Sequence, residues 1–222
     1  MITMEDSLES NLLKYVSKLL ERYPVLENNK KDIINAYLIM ENSYKTGGKL
    51  LIAGNGGSAA DSEHIVGELM KAFKNPRRLN YEQRQNLINV DKEMGEVLAD
   101  NLQCSLPAIA LDGHIALTTA FMNDCEPLLC FAQQVNGYGN KEDVFLGIST
   151  SGNSKNILYA ATVAKAKKMK VIGLTGEKES KLSELADICI RVPETETYMV
   201  QELHLPIYHC LCLMLEEKFF GV

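Results

Sequence analysis

The chain has 222 residues, 46% of them hydrophobic and 23% charged, a globular composition that allows one ordinary domain with a buried core and is short for two. A net charge of -6 disfavours a nucleic-acid coat or an anionic membrane surface as a direct partner, because both repel the molecule as a whole. No apolar run reaches the roughly 18 residues of a membrane helix, and Met1–Asp6 lacks the basic start and apolar run of a signal peptide, so a cytoplasmic protein is expected.

From Met4 to Thr46 apolar positions recur at helical spacing (Leu8, Leu12, Leu13, Val16, Leu19, Leu20, then Ile33, Ile34, Tyr37, Leu38, Met40), which predicts two helices broken near Pro24 and forming an N-terminal extension over 1–46. A short apolar run, Leu50-Leu51-Ile52-Ala53, then meets Gly54-Asn55-Gly56-Gly57-Ser58 and a helical stretch from Ala59 to Ala72, the pattern strand, glycine turn, helix. Lys74 to Ser105 fits no sheet element. It reads as a segment inserted into the core fold, with a polar helix from Tyr81 to Leu102.

The strand-turn-helix unit recurs at Val144–Ile148, Ser149-Thr150-Ser151-Gly152-Asn153-Ser154 and Lys155–Lys168. Further apolar runs at Ala108–Leu111, Val171–Leu174 and Ile188–Val192 bring the strands to five. Short apolar runs alternating with helices predict a single α/β domain over 1–222: a three-layer, doubly wound, five-stranded parallel sheet that binds ligands at the strands' carboxyl ends. A last helix from about Glu196 to Phe220 is apolar nearly all round, which predicts burial on more than one side and oligomerisation. The six cysteines (Cys104, Cys125, Cys130, Cys189, Cys210, Cys212) form no CxxC pair and read as buried reduced thiols.

Ser149, Thr150, Ser151 and Ser154 place four hydroxyls after a strand and at the mouth of a helix, where exposed backbone N–H groups favour an anion such as phosphate; capping by Ser154 alone is the plainer alternative. The first turn has neither the Lys-Ser/Thr ending of a nucleotide P-loop nor the dinucleotide glycine spacing. His64 and Glu68 stand four apart and so share a helix face, either as a solvated ion pair or as part of a site. Gln201 and His209 lie eight apart on the last helix, about 12 Å at 1.5 Å per residue, and His209 also reads as a hydrogen-bonded core histidine. Imidazole, carboxylate and amide oxygen together suit a metal ion or a proton shuttle.

In order along the chain, Ala53-Gly54-Asn55-Gly56-Gly57-Ser58, His64-(x3)-Glu68, Gly147-Ile148-Ser149-Thr150-Ser151-Gly152-Asn153-Ser154 and Gln201-Glu202-(x6)-His209 resemble the phosphoheptose isomerases of the sugar-isomerase (SIS) fold. The resemblance implies conversion of sedoheptulose 7-phosphate to a heptose 7-phosphate through an enediol, with Glu68 and His209 as the acid–base pair. It implies His64, Glu68, Gln201 and His209 as ligands of a zinc ion. Ser58, Ser149, Thr150, Ser151 and Ser154 become phosphate and sugar contacts beside the close-approach residue Gly56, and Asn55, Asn123, Asp124 and Gln201 become hydroxyl readers. A homotetramer with sites between subunits is implied, which would accommodate the 12 Å between Gln201 and His209.

Two departures bear on the substrate. Relatives commonly read Asp-Arg-Ile before the last-motif Gln, where this chain has Tyr198-Met199-Val200, and the segment Lys74 to Ser105 is longer than the usual loop. That segment reads either as a solvated polar helix or as a lid with Arg77 or Arg78 reaching the phosphate. Competing readings of the resemblance are a non-catalytic SIS protein that senses phosphosugars or binds a replication initiator, and an isomerase of another phosphosugar; the presence of both Glu68 and His209 favours catalysis.

Overall fold

The structure, a computed structural model, describes residues 10–221, so the start of the first expected helix, with Leu8, lies outside the described residues. Helix α1 (Ser10–Arg22), a 3-10 turn at Pro24–Asn29 and helix α2 (Lys30–Lys45) follow the expected break at Pro24, which fixes φ and lacks the N–H a continuing helix needs. Strands β1 (Leu50–Ala53), β2 (Ala108–Ala110), β3 (Val144–Ile148), β4 (Lys170–Thr175) and β5 (Ile188–Arg191) pair in the order β2-β1-β3-β4-β5, all parallel. Between them run α3 (Gly57–Met70), α6 (Ile115–Asp124), α7 (Cys130–Tyr138), α8 (Lys155–Ala166) and α9 (Lys181–Leu185), and α10 (Thr197–Phe220) closes the chain.

Strand residues alternate between two cores. Leu50, Ile52, Val144, Leu146, Ile148, Ile172, Leu174 and Ile190 pack with α1, α2, α3 and α10, whereas Leu51, Ala53, Phe145 and Val171 pack with α7, α8 and α9. Burial on both faces explains why β1 and β3 read as unbroken apolar runs. The N-terminal helices belong to the first core, with Leu12, Val16, Ile33, Tyr37 and Met40 buried at 2% exposure or less. The chain winds from β1 to β2 on one side and then to β3 on the other, so the reversal falls between β1 and β3, where an open α/β sheet leaves its crevice.

The polar helix expected over Tyr81–Leu102 is two helices, α4 (Tyr81–Val90) and α5 (Lys92–Asn101). Asp91 is extended and its carboxylate accepts the Met94 N–H, capping α5, and Asn80 and Gln83 form a reciprocal box at the start of α4. The hairpin stands on a narrow neck, an antiparallel bridge between Arg78 and Gln103 with the Cys104 N–H on the Arg77 carbonyl. Among the described residues no helix is long and apolar enough to cross a membrane. The six cysteines are free; Cys130, Cys210 and Cys212 are buried, but Cys125 at the end of α6 is exposed, contrary to the expectation of buried thiols, because α6 buries none of its residues.

Candidate active site

The two glycine- and serine-rich turns lie side by side at the carboxyl ends of β1 and β3, and a reciprocal amide pair ties them. Asn55 Nδ2 donates to Asn156 Oδ1 at 3.0 Å, and Asn156 Nδ2 returns a bond to Asn55 Oδ1 at 2.7 Å. Ser58 and Ser149 are buried, Thr150 and Ser154 half-buried, and Asn55, Gly56 and Ser151 exposed. Ser149 Oγ donates to Ser154 Oγ at 3.1 Å, and Ser154 makes no capping bond to α8, so the hydroxyls face one another and not the helix they precede. Gly152 holds this turn at φ +64°, and a methyl group there would overlap the Ser180 hydroxyl.

The second cluster is built by α3 and α10, which run in the same direction: Gly57 meets Gln201 at one end and His64 meets His209 two turns on. A Cβ at Gly57 would stand 2.8 Å from Gln201 Nε2, so the glycine allows that amide to lie on the loop. His64 Nε2 is 3.2 Å from Glu68 Oε1 and 3.5 Å from His209 Nε2. The sequence pair is therefore in i,i+4 contact, an ion pair only when the imidazole is protonated, and also a partner of the last helix. His209 is half-buried, its ring against those of His64, Phe73 and Tyr208 at 5.0, 5.5 and 5.1 Å.

Two residues that sequence reasoning missed orient the cluster. The Tyr208 hydroxyl donates to Asp61 Oδ1 at 3.1 Å and lies 3.1 Å from His64 Nδ1. With its proton given to Asp61, that oxygen accepts from His64 Nδ1–H, so in the neutral ring the lone pair is on Nε2, the atom facing Glu68 and His209. The sequence offered a signal: Asp61 precedes His64 by three on α3, and Tyr208 adjoins His209. Burial pushes Asp61 up, against the Tyr208 hydrogen bond and the nearby His64. Burial also lowers His209, with His64 adding to the effect and Glu68 opposing it. Glu68 Oε2 is buried without a hydrogen-bond partner, with the Lys71 ammonium 3.6 Å away.

As they stand, no three His, Cys, Asp or Glu side chains among the described residues close a metal site. The pairwise spacings about His64 nonetheless suit one, since ligand atoms at about 2.0–2.1 Å from a tetrahedral zinc lie about 3.3 Å apart. Lone pairs of His64 and His209 and a bare carboxylate oxygen are the donor set such an ion takes.

Several expected members stand apart. Gln201 is on the loops, about 12 Å along α10 from His209. Asn123 and Asp124 sit exposed at the end of α6, where Asn123 Nδ2 donates to Asp124 Oδ1 at 2.9 Å, and among the described residues no hydrogen bond joins them to either cluster. Arg77 is not a phosphate reader in this chain: its side chain is 0% exposed and paired to Glu216 Oε1 at 2.8 Å, whereas Arg78 is exposed. In Tyr198-Met199-Val200, the departure before Gln201, Val200 is in the core and Tyr198 is exposed. His209 also lines a cleft of about 500 Å³ with Tyr15, Lys18, Arg22, Tyr23 and Lys74.

A parallel sheet with serine loops at its switch point and a long closing helix is the architecture of the SIS domain, and residues 108–214 match that domain family, with residues 13–81 matching a second SIS domain family. The chain is 42% identical over 189 residues to phosphoheptose isomerase 2 of Campylobacter jejuni, covering 85% of this chain and 81% of that one. It is 38% identical over 216 residues to the phosphoheptose isomerase of Nitratiruptor, covering 97% and 100%. The solved phosphoheptose isomerase of Francisella tularensis superposes with a TM-score of 0.71 at 31% identity, over 95% of this chain and 100% of that one. The Neisseria gonorrhoeae enzyme superposes with a TM-score of 0.69 at 27% identity, over 97% and 100%. The chain belongs to the phosphoheptose isomerase family.

Proposed function

We propose that this protein is an aldose–ketose isomerase that converts sedoheptulose 7-phosphate to D-glycero-D-manno-heptose 7-phosphate. The observation that carries the reading is the meeting of Glu68, His64 and His209, with one Glu68 oxygen free of hydrogen bonds and His209 held toward its neutral form. Glu68 takes a proton from C1 of the ketose while the C2 oxygen gains one, giving the enediol. The same carboxyl returns its proton to C2 as O1 gives up its own, and His209 carries protons to and from the oxygens. The Asp61–Tyr208 relay holds His64 in one tautomer. Phosphate binds the cup of Ser58, Ser149, Thr150, Ser151 and Ser154 beside Gly56, and Asn55 and Gln201 read hydroxyls, whereas Asn123 and Asp124 stand apart from both clusters within one chain.

A zinc ion belongs to the same reading, held by His64, Glu68 and His209 with Gln201 of a second copy as the fourth ligand. When bound, it supplies positive charge for the oxyanion that develops on the carbonyl. A homotetramer is the matching assembly. Support comes from the separation of Gln201 from His209 within one chain and from apolar side chains left exposed on α5 and α6, among them Met94, Val97, Leu98, Ile115 and Met122. Free thiols and the phosphosugar substrate suit the cytoplasm.

The test is NMR of the protein with sedoheptulose 7-phosphate in deuterated buffer, with and without zinc, beside Glu68→Gln. Aldose signals with deuterium at C2 are expected from the wild type and neither from the variant. A wild type that produces neither leaves the phosphosugar sensor or a different sugar as the account.

A further inference from the structure

Helix α3 ends at Met70, and its last carbonyls have no intrahelical partner. Two of them, Glu68 O and Leu69 O, accept from the Arg77 guanidinium at 2.8 and 2.6 Å, and the third corner of the fork, Nε, donates to Glu216 Oε1 at 2.8 Å. Glu216 lies on α10 nearly two turns beyond His209. Its carboxylate also accepts the backbone N–H groups of Phe73, Lys74 and Asn75 at 2.8, 2.8 and 3.0 Å. Burial would raise this carboxyl, but the three amides and the guanidinium outweigh it and hold it below its ordinary value. Both side chains are sealed from water, at 0% and 1% exposure, with the guanidinium also over the Phe220 ring at 4.8 Å.

We propose that the Arg77–Glu216 pair is a positioning clamp for the acid–base residues, fixing the backbone of Glu68 from one side and, through Phe73, the ring of His209 from the other. The proposal rests on the isomerase reading for the meaning of those two residues. A buried charge pair is a poor way to add stability, since desolvating both ions offsets most of their attraction. It is a good way to fix geometry: the planar fork reaches two carbonyls and a carboxylate on different elements, and the carboxylate orders the three amides of the turn that carries Phe73. Phe73 then lies 5.5 Å from the His209 ring. Glu68 and His209 come from different helices, so their relative placement depends on what ties the end of α3 to α10.

Arg77→Lys is the test. Lysine keeps the charge and its bond to Glu216 but cannot span both carbonyls. The expected result is a kcat at least about tenfold lower with KM within about twofold, because a misplacement near 1 Å slows chemistry while the phosphate cup is untouched. A second readout needs no turnover. In ring Cε1–H correlation spectra of the four histidines, His64 and His209 should shift, whereas His204 in the core and His114 in the loop before α6 should stay. A folded Arg77→Lys with kcat within twofold of wild type and unmoved His64 and His209 signals overturns the clamp, as does a change in which all four histidines move together. Should that variant fail to fold, Arg77→Met with Glu216→Gln removes both charges at once, and the same readouts apply. If the wild type does not isomerise the sugar phosphate, the functional reading falls and the histidine signals alone decide the clamp.

Discussion

Replacing Tyr208 by Phe removes one oxygen from the cluster and leaves the ring's packing in place. Two hydrogen bonds go with it, the one accepted from His64 Nδ1–H and the one donated to Asp61, each 3.1 Å. A neutral hydrogen bond contributes about 1 kcal/mol and one to a carboxylate about 1.5–3 kcal/mol when well buried. Asp61 is only partly buried, so a total of about 2 kcal/mol is expected. For a chain of this length that lowers Tm by roughly 4–8 °C. Catalysis should suffer more: without the hydroxyl, His64 is free to change tautomer and turn, and losing such an orienting partner typically costs about 10–100-fold. The loss should appear in kcat and not in KM, because the hydroxyl touches the histidine and the aspartate and not the phosphate cup. Asp61 loses the hydrogen bond that opposes burial, so its carboxyl rises further and any acid limb it contributes to the rate profile moves to higher pH. Steady-state kinetics across pH, with thermal melts of the same samples, measure all three effects. A variant with kcat within twofold of wild type and an unshifted profile would refute the idea that Tyr208 sets the state of His64.

Acid should weaken the fold through His204, which is wholly buried, has Nδ1 unpartnered and is pushed down to about 4 by burial. The unfolded chain titrates near 6.5, so between those values it takes up a proton that the folded chain refuses. Stability present above about pH 6.5 is lost as pH falls toward 4, by up to about 3 kcal/mol. Urea melts at pH 4.5, 5.5 and 7 should show that slope in the wild type and a flatter one in His204→Leu; equal slopes would place the proton elsewhere. Gly152→Ala puts a side chain into a left-handed position, at about 1–2 kcal/mol, and drives it into Ser180 Oγ, opening the serine turn. KM for the phosphosugar should rise about tenfold while kcat changes less, and a KM equal to wild type would remove this turn from phosphate binding.

The sheet was legible because its signal is local. Five apolar runs spaced by helical stretches describe buried parallel strands, and the glycine and serine turns fall where strand meets helix. What stayed hidden depended on contacts between distant parts of the chain. The stretch Tyr81–Leu102 reads as one polar helix until Asp91 is seen extended and capping α5, because a capping aspartate and a mid-helix aspartate look alike in sequence. Arg77 reads as part of a solvated segment or as a lid residue reaching the phosphate until Glu216, 139 residues later, is found beside it. Asn156 looks like any residue in the first turn of α8, yet it pairs with Asn55 across 101 residues. The site shows the same division. His64 and Glu68 could be placed on one face from their spacing, but whether they met solvent or His209 depended on how α10 crosses α3. That crossing also explains why Gln201 and His209 do not meet within one chain. The two helices run in the same direction, so the contacts Gly57–Gln201 and His64–His209 repeat along them at nearly equal steps of seven and eight residues. Residues two turns apart on one helix then stay two turns apart on the pair. A constellation that unites them would need a second copy, so the four-ligand site proposed for this chain stands or falls with the proposed oligomer.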